Sequence, residues 1–147
     1  MNRFIKDLSI HKGTIISIKE NNKQIIFDCG CAGFYQIKLD DFIDNILAHN
    51  QTRCDYILYE NDEKLALFIE LKGKDLEKSF KQILSTSNFV ENADKKYAAI
   101  IYKGGIPQAQ TKIQRFKAKY SKNFIDIFIK TDILKLKFQN SQIIKID

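Results

Sequence analysis

The chain has one proline, six glycines, two histidines, three cysteines and no tryptophan in 147 residues. With so few breakers, no Pro/Gly/Ser linker divides it, and no internal repeat or low-complexity tract is present. Residues 1–147 therefore read as a single domain, within the ~100–200 residues usual for one hydrophobic core. Long apolar runs are also missing. The longest spans residues 97–102, far short of the ~20 residues that cross a bilayer, so no membrane helix is expected. The opening Met1-Asn2-Arg3-Phe4-Ile5-Lys6-Asp7 develops no apolar core before its first acid, unlike a secretory signal, and the expected location is cytoplasmic. Neither His11 nor His49 lies in a recognisable nucleophile motif, which removes Ser-His-Asp and Cys-His chemistry. Three cysteines cannot all pair within one chain and point to a reducing compartment. Cys29-Gly30-Cys31 is the one tight pair where zinc needs about four converging ligands, so buried free thiols are the simpler reading.

What is present is ordinary for a soluble fold: 44% apolar and 29% charged residues, with 24 basic side chains against 18 acidic ones. The excess is not spread evenly. Residues 103–137 carry nine basic side chains and only Asp126 and Asp132 on the acidic side. Such a segment can face a polyanion, or it can be a solvated lysine surface.

Residues 14–19 and 24–28 are β-branched and flank a polar turn, which predicts an N-terminal β-hairpin. Leu39, Phe42, Ile43, Ile46 and Leu47 recur at helical spacing over 39–49. Two strands follow, about 54–60 and 65–71, joined by Asn61-Asp62-Glu63-Lys64. A helix is predicted over 75–87, with Leu76, Phe80, Ile83 and Leu84 on one stripe, and then an interior strand over 97–102. Pro107 suits the first turn of a helix over 107–120, with Ile113 and Phe116 inward and Lys112, Arg115, Lys117 and Lys119 mostly outward. Strands over 124–129, 132–138 and 142–146 complete the chain. The alternation after residue 53 indicates α/β architecture, with helices packed on a central sheet. Phe34, Tyr35, Tyr56 and Tyr59 suit a core better than a stacking platform. Gly104-Gly105 lacks the Gly-Lys-Ser/Thr of a phosphate loop and reads as a turn before Pro107.

The chemistry concentrates where Cys54-Asp55 opens one strand and Glu70-Leu71-Lys72-Gly73 closes the next. Alternation along a strand sends residues 70 and 72 to the same side. The run before Glu70 is apolar on both faces, as in an interior strand, and a carboxylate there is costly without a partner. If the two strands pair as a hairpin, Asp55 comes beside Glu70. Two adjacent carboxylates repel, and a divalent cation resolves the conflict. Mg²⁺ accepts one or two carboxylates, keeps several waters and takes further contacts from phosphate. A lysine aimed at the same spot can position water or offset developing charge. Asp62-Glu63-Lys64 and Asp94-Lys95-Lys96 have similar composition but fall in polar connections. The competing arrangement at Glu70 is a plain ion pair with Lys72 at a sheet edge.

In these residues the chain resembles the PD-(D/E)xK nuclease superfamily, the fold of many restriction enzymes, Holliday junction resolvases and repair nucleases. The resemblance covers about residues 39–103, with Cys54-Asp55 in place of the frequent Pro-Asp. It implies a restriction-endonuclease-like core, a central mixed β-sheet flanked by helices, with the N-terminal hairpin added. It also implies that Asp55 and Glu70 bind Mg²⁺ or Mn²⁺, that Lys72 assists the nucleophilic water, and that Gln82 on the following helix joins the site. Members often add an acid from the first helix, for which Asp40, Asp41 and Asp44 are candidates; charge at a helix start explains the first two equally well. The activity implied is metal-dependent phosphodiester hydrolysis, with DNA as the expected substrate and a structure-selective or nonspecific mode. Lys74, Lys103, Lys112, Arg115 and Lys119 are the expected nucleic-acid contacts, and a homodimer is compatible with cutting two strands. The alternative is the same fold without catalysis, as a nucleic-acid-binding or assembly module.

Overall fold

The computed structural model describes residues 5–42, 52–73, 75–90, 93–102 and 109–146, side chains included except at positions 42, 72, 73 and 109. Among these described residues, nine strands form two sheets and two α-helices accompany them. The strands are β1 (Ile15–Glu20), β2 (Lys23–Asp28), β3 (Phe34–Lys38), β4 (Tyr56–Glu60), β5 (Leu65–Gly73), β6 (Lys95–Tyr102), β7 (Asp126–Thr131), β8 (Ile133–Gln139) and β9 (Gln142–Ile146). Helix α1 runs Leu76–Phe89 and α2 runs Ala109–Tyr120. A 3₁₀ turn, Leu39–Phe42, follows β3; the remainder of the helix expected over 39–49 lies outside the described residues.

The central sheet has five strands in the order β3-β4-β5-β6-β7. Its first three are antiparallel, and β5, β6 and β7 are parallel. The parallel part follows from the connections. Helix α1 links β5 to β6 and α2 lies between β6 and β7, as parallel crossovers require. The long apolar strands are explained by burial on both sides: β4 is buried along its whole length. Helix α1 starts where Asp75 accepts a hydrogen bond from the backbone N–H of Lys78 at 3.2 Å, a side-chain N-cap.

Both described helices pack on one face of this sheet. Leu76, Phe80 and Ile83 of α1 and Ile113 and Phe116 of α2 join Ile57, Phe68, Ala98 and Ile100 in one core. The other face is covered by a second, four-stranded sheet of order β1-β2-β8-β9. The predicted N-terminal hairpin is thus half of a covering layer, and the flanking of the central sheet is helices on one side and strands on the other. Phe34 of the central sheet sits edge-on between Phe27 and Phe138 of the covering sheet, at 4.9 and 5.3 Å between ring centres. Each such pair adds about 0.5–1.5 kcal/mol beyond the area it buries.

The covering sheet joins distant parts of the chain. β2 and β8 run parallel, with Gln24 opposite Ile133. The chain leaves the central sheet at Thr131 and enters the second at Ile133, and the corner is Asp132 alone, in the left-handed region at φ 63°. Asp tolerates that conformation better than most residues. The Asp132 carbonyl accepts a hydrogen bond from the Gln24 N–H at 2.8 Å, which fixes the crossing. Between β8 and β9, Asn140 and Ser141 both have positive φ, the signature of a type I′ hairpin turn.

That turn is tied back to the central sheet. Ser141 Oγ donates to Glu63 Oε1 at 3.1 Å, and Lys95 Nζ reaches Glu63 Oε2 at 2.8 Å. The Lys95 ammonium, then the Ser141 hydroxyl, hold the Glu63 carboxyl below the value of 4.5 it would otherwise have. Lys95 is raised above 10.5, chiefly by the same hydrogen bond. A lowered carboxylate stabilises the fold above its unfolded pKa and loses that contribution as pH falls through its folded pKa; a raised lysine does the reverse at the alkaline end. The link is therefore intact between about pH 5 and 10 and opens in acid. Thermal melts should show Glu63→Gln slightly less stable than the native chain at pH 7, with the gap narrowing as pH falls below the usual carboxylate range. A gap unchanged across that range would show that Glu63 does not act through its charge.

Candidate active site at the bulged end of the central strand pair

The β4–β5 ladder ends at the pair Tyr56–Ile69, and Asp55 and Glu70 are the next residues along the two segments. Asp55 also brackets its neighbour. Its N–H donates to the Ile69 carbonyl at 3.0 Å, and its Oδ2 accepts the N–H of Leu71 at 2.8 Å, one residue to either side of Glu70. Its own carbonyl accepts the N–H of Leu39 at 3.1 Å. Three bonds from two neighbouring segments fix its position.

Glu70 is 2% exposed, and Asp55 is half-buried. Between them and α1 lies Cys54, fully buried. Its N–H donates to Thr86 Oγ1 at 2.8 Å, and the same hydroxyl donates to the Gln82 carbonyl at 2.8 Å. Burial pushes the Cys54 thiol far up, opposed by the Thr86 hydrogen bond and reinforced by the nearby charges of Glu70 and Asp55. A thiol held neutral in this way is packing, not a nucleophile.

On the other side of β4, burial raises the Tyr56 phenol, reinforced by the carboxylates of Glu20, Asp55, Asp41 and Asp40. The 3₁₀ turn thus brings Asp40 and Asp41 into the electrostatic surroundings of Tyr56. Asp40 is paired with Arg53 at 3.1 Å, and Asp41 is exposed. Asp44 lies outside the described residues. Glu20, beside the turn of the N-terminal hairpin, comes near Tyr56 through the packing of the two sheets, which sequence spacing could not supply. Among the described residues no three His, Cys, Asp or Glu side chains gather closely enough to hold one ion together.

The register of β5 against β6 shifts between Glu70 and Gly73: Glu70 pairs with Ile100, but Gly73 pairs with Tyr102. One extra residue is accommodated in β5, a bulge of the kind that re-aims side chains beside active sites. Regular alternation, which predicted one side for residues 70 and 72, is interrupted somewhere between Glu70 and Gly73. Lys72 belongs to β5, and its side chain lies outside the described residues, as do Lys74 and Lys103. Gln82 is half-buried on α1, one turn before Thr86 and on the same flank.

Lys112, Arg115 and Lys119 do not join the carboxylates. They stand on α2 along its groove with α1, bordered on α1 by Glu77, Lys81 and Leu84. Those three occupy the flank of α1 opposite the Gln82–Thr86 flank. The three cysteines are free thiols, with Cys29 and Cys54 buried and Cys31 exposed. No described helix is long and apolar enough to cross a membrane. Compared with protein-family models, curated proteins and solved structures, the chain matches none.

Proposed function

We propose that this protein is a metal-dependent phosphodiester hydrolase acting on DNA, with a restriction-endonuclease-like core in its central sheet. The observation that carries the reading is Asp55 hydrogen-bonded to Ile69 and Leu71, the residues on either side of the buried Glu70, beside the stretch where β5 bulges. The mixed five-stranded sheet, with α1 crossing from β5 to β6, supports the fold part of the proposal.

The donor chemistry fits a hard divalent cation. Asp55 and Glu70 would supply two carboxylates, and Mg²⁺ or Mn²⁺ needs few more from protein when water and phosphate complete its shell. Such an ion, when bound, lowers the pKa of a coordinated water and offsets charge on a phosphoryl oxygen. The chain's own contribution is order. Glu70 is held in protein interior, and Asp55 is pinned on both sides of it by main-chain hydrogen bonds. A site fixed in this way loses little in reorganisation as charge develops. Lys72 has the role of orienting water or stabilising the phosphoryl oxygens, and Gln82 that of a neutral hydrogen-bonding partner at the same end.

A second reading, binding without cutting, draws on one observation: Asp55 Oδ2 already serves the N–H of Leu71. A panel of duplex, single-stranded, forked, four-way-junction and RNA substrates, incubated with Mg²⁺, Mn²⁺ or EDTA, separates the two. The nuclease reading expects cleavage with metal only, abolished by Lys72→Ala with binding largely kept. Binding to the panel with no cleavage under either metal favours the second.

A further inference from the structure

Helices α1 and α2 enclose a cavity of about 300 Å³ that the carboxylate site does not use. That is the lower end of the size range of small-ligand sites. Its floor is aromatic. Phe80 and Phe116 stack at 3.8 Å and 15° between ring planes, and Tyr120 continues the row 4.8 Å from Phe116. Both phenylalanines are buried, so they form the base on which a ligand would rest, while Leu84 and Tyr120 are the half-exposed walls. The rim is cationic: Lys81, Lys112, Arg115 and Lys119, against one acid, Glu77. Lys119 Nζ already lies 5.4 Å from the centre of the Tyr120 ring.

A hydrophobic core explains the phenylalanine stack, but not four cations gathered around an opening above it. Like charges on one rim repel, and the arrangement becomes favourable when an anion enters. A ligand matching both parts must be flat and apolar on its faces and anionic at its edges. An unpaired nucleotide within a strand has that form, because every base has a stackable face and carries phosphates on both sides. Duplex DNA presents its phosphates but keeps its bases stacked inside, so it cannot fill the cavity.

We infer that the α1–α2 groove is a binding site for single-stranded nucleic acid, taking one unpaired base between Leu84 and Tyr120 with its flanking phosphates on Lys112, Arg115 and Lys119. The inference rests on the nucleic-acid part of the proposed function and is independent of cleavage. The groove lies across the width of α1, about 10 Å, from the Gln82–Thr86 flank. A strand held there would leave its duplex continuation toward the carboxylates, giving a preference for frayed or branched ends.

The test uses the full chain in EDTA, so that no cutting is needed, with fluorescence anisotropy of labelled oligonucleotides. Single-stranded DNA should bind about tenfold or more tighter than a blunt duplex of the same length. An oligonucleotide of the same length built of abasic sites should lose most of that advantage. Lys112→Glu/Arg115→Glu should weaken single-strand binding at least tenfold and flatten its salt dependence. Lys19→Glu/Lys135→Glu, an equal charge change at exposed positions on the covering sheet, should have a several-fold smaller effect. Equal losses in the two double variants, or equal affinity for the abasic strand, would overturn the inference in favour of general charge attraction. Displacement of the oligonucleotide by micromolar free mononucleotide would overturn it in favour of a small-molecule site. Cleavage by Glu70→Gln is measured separately in Mg²⁺, so loss of cleavage and loss of this site are told apart.

Discussion

Replacing Glu70 by Gln should lower metal-dependent cleavage by about 10³-fold or more while leaving the chain folded. The change removes a charge and keeps the shape, so the 2%-exposed pocket around residue 70 stays filled. What it removes is one of the two carboxylates proposed to hold the metal. Metal stabilisation of transition-state charge is worth several kcal/mol, and each 1.36 kcal/mol is about tenfold in rate. Single-turnover cleavage with saturating Mg²⁺, beside binding in EDTA, separates the chemical step from affinity. Activity within a few-fold of native would mean that Glu70 is not a ligand, and the nuclease reading would fail with it.

The second large effect concerns stability. Phe68 is fully buried, two residues before Glu70 on the same strand, with Phe124 edge-on at 6.4 Å between ring centres. It lies in the core shared by the central sheet and both helices. Phe68→Ala should cost about 3–5 kcal/mol through lost burial and the cavity left behind. For a domain of this size that lowers Tm by roughly 6–20 °C. Ile125, 59% exposed, provides the internal comparison, since Ile125→Ala should stay within about 0.5 kcal/mol. Similar losses at both positions in calorimetry would show that the helix–sheet core is not where the fold gains its stability.

Local pattern carried much of this architecture. Hairpin β1–β2, the β4–β5 pair, α1, β6, α2 and the last three strands were legible because each has a clear period and a polar or glycine boundary. β3 was not. Its apolar residues Phe34 and Ile37 are three apart with Gln36 exposed between, which does not alternate like a strand. Its strand form comes from pairing with β4. The second sheet was also invisible as a sheet, since the β2–β8 pairing joins positions more than a hundred residues apart. The same division holds at the candidate site. The antiparallel pairing of β4 with β5, which brings the start of one to the end of the other, follows from one short turn and could be read directly. The bulge after Glu70, the arrival of Glu20 and the opposite-flank location of Lys112, Arg115 and Lys119 depend on how whole layers pack, which no local spacing records.

The covering sheet takes two strands from before the central sheet and two from after it. During synthesis, β1 and β2 emerge first, but β8 and β9 follow only after every strand of the central layer has appeared. Leu67, Ile69 and Ile101, which the finished molecule hides beneath that cover, must wait half-roofed on the ribosome. A nascent chain in that condition is a natural client for a chaperone, and slow translation across residues 103–131 would lengthen its exposure.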